Sequence, residues 1–299
     1  MQLVKKIDIH AHTARVLGPK RRGGTNFALP ETLLEMYDQL GVEKGVLLPL
    51  TSPEAVCTIS TSEDLKEIAE KYPDRFYWFC CVDPRVANHH DHADFETILS
   101  YYKELGAKGV GEIVSNIYFD DERAFKLFEA CEKLNMPVTF HIGHTNGEYG
   151  LIDDLNLPRL EKALRTFPKL KFLGHSQRFW SHISADVTEE TRHGWPSGPV
   201  IRGGIIPTFM EKYENLYCDL SAGSGFGAIT RDPEFSFEFM EKFQDRILYG
   251  IDICAPENIT TPAMKLAKFL DDSVLSGKIS YEAYLKISRG NALKLLGEK

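Results

Sequence analysis

The residues best suited to chemistry come almost at once, in Ile7-Asp8-Ile9-His10-Ala11-His12-Thr13. Val4, Ile7 and Ile9 are β-branched and predict a strand whose C-terminal end carries His10 and His12. Side chains two apart on a strand share a face, so both imidazoles point the same way. Two convergent imidazoles are half of a metal site, although such a pair can also be two polar residues satisfied by backbone or water. Further groups of this kind stand at the ends of later strand-like runs. Glu112 lies in Lys108–Val114, His141 ends Pro137–His141, His175 ends Leu170–His175, and Asp252 follows Arg246–Ile251. These are six candidate ligands or proton carriers on five strand ends. Chance puts one or two there, not all of them.

The elements that must position these groups alternate regularly. Strands are also expected at 46–50, 76–82 and 216–220, making eight in all, each followed by a helix or helical region. Pro30-Glu31 opens a helix that ends near Gly41, as Pro at a helix start and Gly past its end predict. Asp121–Leu134 is strongly periodic, with Ala124, Phe125, Leu127, Phe128 and Cys131 on one side. Other helices are expected at 62–72, 94–105, 157–167, 206–213, 233–243 and 261–296, the last broken near Ser276-Gly277-Lys278. Parallel strands joined by crossover helices form one sheet, and eight repeats close into a (β/α)8 barrel. The fold class is therefore α/β, a (β/α)8 TIM barrel over 1–299 as a single domain. It has a long loop after strand six, about 177–205, and extra C-terminal helices. A doubly wound open sheet would show a Gly-rich phosphate loop after an early strand, and none is present. Gly223-Ser224-Gly225-Phe226-Gly227 comes late and reads as a flexible active-site loop, with phosphate binding the alternative.

Composition narrows the partners. The net charge of −8 argues against nucleic acid, which needs a basic surface. No run of 18 apolar residues exists, so no membrane span is expected, and the start lacks the apolar segment of a signal peptide. The six cysteines, Cys57, Cys80, Cys81, Cys131, Cys218 and Cys254, include no C-x-x-C pair and read as reduced thiols. Cytoplasmic localisation follows as an expectation. The expected partner is a small-molecule substrate, and a homo-oligomer is compatible with the sequence.

The chain resembles the amidohydrolase superfamily of metal-dependent barrels, in particular its amidohydrolase-2 branch. The resemblance covers nearly the full length. It rests on Ile7-Asp8-Ile9-His10-Ala11-His12, His141-Ile142-Gly143, Gly174-His175-Ser176, Leu248-Tyr249-Gly250-Ile251-Asp252 and the ending Arg289-Gly290-Asn291-Ala292-Leu293. It implies that His10, His12, His141 and Asp252 bind one divalent metal, for which Zn²⁺ suits three imidazoles and a carboxylate. It gives Asp252 a second role as proton carrier and His175 that of polarising a substrate carbonyl. Glu112 departs from the simplest one-metal pattern. It resembles the fourth-strand metal ligand of deoxyribonuclease-like hydrolases, and with His175 it could hold a second metal; otherwise it orients a ligand histidine.

The resemblance implies a metal-dependent hydrolase of a small ester, lactone or amide bearing a carboxylate. The branch also contains decarboxylases of aromatic or unsaturated acids, so a lyase is the alternative. Some of those carry a glutamate where this chain keeps His10, which favours hydrolysis. A barrel that binds without turnover is the third reading, and intact strand-end ligands oppose it.

Arg178, three residues after His175, is expected to anchor an anionic group, with Phe179 and Trp180 walling the pocket. A structural ion pair at the root of the long loop is the equal alternative. His144 is a further candidate substrate contact, or a loop residue. Lys20, Arg21 and Arg22 form a charge run able to attract an anion or simply face solvent. His89, His90 and His92 read as a solvated or adventitious cluster. Asp8 shares parity with His10 and is expected to point into the barrel, and Cys254 reads as a small packing residue.

Overall fold

The computed structural model describes residues 2–21, 23–55, 60–87, 94–145 and 149–298. Arg22, Cys57 and the His89, His90, His92 cluster lie outside the described residues. In chain order the elements are β1 (Lys6–Ala11), α1 (Pro30–Leu40), β2 (Val42–Leu47), α2 (Ser62–Lys71), β3 (Phe76–Trp78) and α3 (Phe95–Glu104). Next come β4 (Val110–Ile113), α4 (Glu122–Lys133), β5 (Val138–Gly143), β6 (Leu151–Ile152), α5 (Pro158–Thr166), β7 (Phe172–His175), α6 (Gln177–Trp180) and α7 (Ile205–Lys212). The chain ends with β8 (Leu216–Asp219), α8 (Ala222–Thr230), α9 (Pro233–Lys242), β9 (Ile247–Leu248), α10 (Leu266–Leu275), α11 (Tyr281–Leu285) and α12 (Asn291–Leu296).

The helix boundaries follow local chemistry. Gly41 adopts the left-handed conformation that closes α1, its N–H bonded to the Tyr37 carbonyl. Thr61 and Asp121 cap α2 and α4 by accepting from the N–H groups of Asp64 and Arg123. Among the described residues no helix is long and apolar enough to cross a membrane.

The strands pair in parallel as β1-β2-β3 and as β4-β5-β7-β8-β9. Backbone hydrogen bonds join the two sheets at both edges. Cys80 N–H donates to the Gly109 carbonyl at 3.0 Å, and Gly111 N–H to the Cys80 carbonyl at 2.9 Å. On the other side Ile9 N–H reaches the Tyr249 carbonyl at 3.0 Å, while Asp252 N–H reaches His10 and His12 N–H reaches Ile253, each at 2.9 Å. The ring of eight is thereby complete, and the fold is a (β/α)8 barrel. The short β6 pairs with β5 outside that ring. The expected strands six, seven and eight are thus β7, β8 and β9.

Inside the ring, Ile7, Ile9, Val46, Leu48, Phe79, Leu173 and Leu248 form one cluster with Ala292, Leu295 and Leu296 of α12. The helix-facing side chains of the same strands join a second, larger cluster. Asp8 does not point into the barrel as its parity with His10 suggests. Its carboxylate accepts from Tyr37 Oη of α1 at 2.6 Å, in the layer between strand and helix. The β1–β2 register shifts between Asp8 and Ala11, and such an irregularity breaks strict alternation. Asp8 therefore faces outward while His10 and His12 still converge.

The glycine run after β8 is also not a loop. It forms α8, and within the run Gly225 lies against other backbone. A methyl group at Gly225 would sit 2.4 Å from the Leu220 carbonyl, and one at Gly223 would touch the Trp195 ring at 3.0 Å. Gly227 faces open space. In a flexible loop, alanine at either site would be silent. In α8, Gly225→Ala is expected to destabilise by about 1–3 kcal/mol through overpacking. Gly227→Ala is expected to stabilise by roughly 1 kcal/mol through helix propensity. Urea unfolding of both variants checks the opposite signs.

Candidate metal centre

The register shift in β1 presents His10 and His12 to the same point. His10 Nδ1 lies 2.6 Å from Asp219 Oδ2 at the end of β8. His12 Nδ1 lies 2.9 Å from the Leu48 carbonyl just past β2. Both Nδ1 atoms face pure acceptors and must carry hydrogen, so both Nε2 atoms are turned inward, 3.1 Å apart. Glu112, from β4, is 1% exposed. Its Oε1 is 2.9 Å from His141 Nδ1, and its Oε2 accepts from Tyr149 Oη at 2.8 Å. Glu112 Oε2 also stands 3.4 Å from His12 Nε2 and 3.8 Å from His10 Nε2.

Asp252 closes the group from the other side. Its Oδ1 is 3.6 Å from His12 Nε2 and 3.8 Å from His10 Nε2, and its Oδ2 is 3.8 Å from His175 Nε2. Asp252 holds a left-handed backbone with φ of 53°, a conformation Asp tolerates better than most residues. His175 Nδ1 is 2.8 Å from Ser221 Oγ. Three overlapping sets bring their ligand atoms within 4.8 Å of one another: His10–His12–Glu112, His10–His175–Asp252 and Glu112–His141–His175. The structure thus unites all six groups picked out at the strand ends.

Burial would raise the Glu112 pKa, but hydrogen bonds to His10, His12 and His141 outweigh it and hold the carboxyl well below its usual range. Burial would lower the His10 pKa, but Asp219 and Asp252 raise it well above that of a free imidazole. For His175 burial prevails, reinforced by His10, and its pKa falls to about 4. The protein alone therefore keeps a proton on His10, which its Nε2–H shares with His12. A divalent cation suits the same point better, because imidazole lone pairs and two carboxylates converge there with few protons to offer. The donor set fits such an ion, with His10, His12, Glu112, His141 and Asp252 available to hold it.

The family model described as Amidohydrolase matches residues 7–297. This chain belongs to the amidohydrolase-2 family. It is an enzyme of the amidohydrolase type. Among solved structures it is similar to 5-carboxyvanillate decarboxylase from Sphingomonas paucimobilis, at 15% identity and a TM-score of 0.62, covering 99% of this chain and 100% of that one. It is similar to the same enzyme from Novosphingobium aromaticivorans in complex with manganese, at 18% identity and a TM-score of 0.56, covering 98% and 96%. A probable 2-pyrone-4,6-dicarboxylic acid hydrolase from Acinetobacter baumannii matches at 13% identity and a TM-score of 0.55, covering 98% and 100%. No curated protein is significantly similar in sequence.

Around this amidohydrolase centre the other expected residues scatter. Arg178 Nε donates to His193 Nδ1 at 2.8 Å, and the His193 ring lies 4.6 Å from that of His144, so these three form one group. Trp180 is 2% exposed and gives its indole N–H to the Asp219 carbonyl at 2.9 Å. Trp180 is not among the residues lining the cavity that reaches Asp252; Trp195 of the long loop takes that place. Lys20 is exposed, whereas Arg21 Nη2 bonds the Cys254 carbonyl at 3.2 Å, two residues from Asp252.

Three supporting residues escape the sequence reading. Asp219 and Ser221 stand at the end of the seventh expected strand, where the same strand-end search would have found them. Tyr149 sits in the approach to β6 and carries no comparable signal. Asp219→Asn keeps the shape but weakens the hold on His10 Nδ1, and should reduce metal affinity roughly 10- to 100-fold. Competition with a chromophoric chelator measures this. Loading one ion at pH 7 should also release about one proton, chiefly from His10. Calorimetry in buffers of different ionisation enthalpy counts it.

Proposed function

We propose that this enzyme hydrolyses a small, carboxylate-bearing ester, lactone or amide with the help of a divalent metal, Zn²⁺ by the chemistry of its ligands. The setting of Asp252 carries this reading. Its side chain is 21% exposed, against 3% or less for His10, His12, Glu112 and His175. It lines a cavity of about 570 Å³ together with Trp195, Phe226, Ile251, Pro262 and Met264. A carboxylate that belongs to the ligand cluster yet opens on a substrate-sized cavity suits proton transfer from water to a leaving group.

When bound, the ion supplies charge that acidifies water and polarises a carbonyl. The chain's own residues do the rest. With Ser221 donating to Nδ1, His175 carries its hydrogen on Nε2 and can donate to a developing oxyanion. Its low pKa keeps the ring neutral at working pH. Arg21 anchors the substrate carboxylate in this reading: its Nη2 is tied to Cys254, which lines the cavity beside Asp252, and its guanidinium lies over the Phe27 ring. Arg178 and His144, grouped around His193, offer a second polar contact at the rim.

Decarboxylation of an aromatic acid is the second reading. The apolar walls of the cavity favour it by suiting a planar ring, and most of the similar structures are decarboxylases. One assay separates the two: metal-loaded protein with a panel of lactones, esters and amides beside a panel of aromatic acids. Hydrolysis is expected, falling about 10²- to 10⁴-fold in kcat in Asp252→Asn. Release of CO₂ without hydrolysis replaces the first reading by the second. Arg21→Met should raise KM for the acid but leave its methyl ester unaffected; equal effects on both remove Arg21 from the anchor.

A further inference from the structure

Arg231, just past the end of α8, has no part in the metal centre. It borders a cavity of about 60 Å³ and an adjoining cleft of about 370 Å³. Its Nε and Nη2 are buried and without partners among the described residues. Buried donors in folded proteins are nearly always bonded, so an acceptor from outside the chain is expected here. The two nearest acids do not serve. Asp232 spends its oxygens on Val200 N–H and Phe235 N–H, and Asp186 takes the Ser184 hydroxyl. Neither comes within ion-pair distance of the guanidinium.

We propose that Arg231 heads a second anion site that takes a monocarboxylate with a flat, apolar body. A guanidinium fork matches a carboxylate in two parallel hydrogen bonds. Trp195 and Pro196 wall both the cavity and the cleft, and give an aromatic ring a surface to lie on. The charge of the ligand follows from the surroundings. Asp186 and Asp232 both act on the single guanidinium, so surplus negative charge is opposed here and a monocarboxylate is tolerated better than a phosphate dianion. The site lies next to the substrate cavity, since Trp195, Gly223 and Gly227 line both. The carboxylate belongs either to the far end of a substrate or to a separate acid. The site itself does not depend on which reaction the metal centre performs.

Sodium benzoate is the probe, titrated calorimetrically into metal-loaded protein at constant ionic strength. Benzoate can also bind the metal centre, so stoichiometry and affinity are both read. Wild type should bind benzoate better than inorganic phosphate, and Arg231→Gln should lose one benzoate site or weaken it at least tenfold. Gly227 offers a second, independent variant. Its carbonyl accepts from Arg231 N–H at 3.1 Å, so the two are one helical turn apart, and a side chain at 227 enters open space. Gly227→Glu places a carboxylate four residues before Arg231, in the favourable orientation for a pair, and should displace benzoate. Gly227→Gln, of the same shape without the charge, should leave binding within a fewfold of wild type. Uptake that is identical in wild type, Arg231→Gln and Gly227→Glu overturns the proposal. No uptake by wild type overturns it too, because water then satisfies the buried donors. For the substrate found by the panel, a higher KM in Arg231→Gln with kcat retained assigns the site to the substrate's far end. Unchanged KM with lost benzoate binding assigns it to a separate acid.

Discussion

Everything at the mouth of this barrel depends on charges that are stable only in one another's company. Glu112 and Asp219 are fully buried carboxylates, and water is replaced around them by His10, His12, His141 and His175. An isolated charge at such depth is prohibitive, and paired, hydrogen-bonded charges are not. The demand for positive charge is what raises the His10 pKa, and it is the same demand that a divalent ion meets. The second layer is organised by it as well. Asp219 and Leu48 each hold the Nδ1 of a ligand histidine and so fix which nitrogen points inward, while Ser221 holds His175 and Tyr149 holds Glu112.

Below this polar layer the barrel is filled by aliphatic side chains from four strands together with Phe79, and sealed by α12. Above it the loops build cavities whose walls are mostly apolar. The long loop after β7 contributes Trp195, which lies on α8 and borders three cavities at once. The position of that indole decides how far the space beside Asp252 extends toward Arg231.

The six strand-end groups were legible because the signals are local. Alternation, β-branched runs and turn residues mark where a strand stops, and a barrel gathers its strand ends. Asp219 was equally legible, standing at the end of Leu216–Leu220 like the other strand-end groups. Other features depend on contacts no short window contains. Parity misplaces Asp8 because the register shifts within β1. Glycine usually reads as a helix breaker, yet Gly225 is required in α8 by the Leu220 backbone. Trp180 and Trp195 look alike as sequence, and only the course of the loop buries one at the root and leaves the other 61% exposed over the cavity.

The ligands are drawn from both hydrogen-bonded sheets. His10 and His12 come from the three-stranded one; Glu112 and His141 belong to the other, and Asp252 follows its last strand. An ion held by this set is a cross-link between the two sheets, and it joins residues close to opposite ends of the chain. Such a link closes a very long loop in the unfolded polypeptide, as a disulfide would, without requiring any bond between sulfur atoms. Neither sheet can then peel away from the other while the ion stays bound, so the barrel opens as a unit.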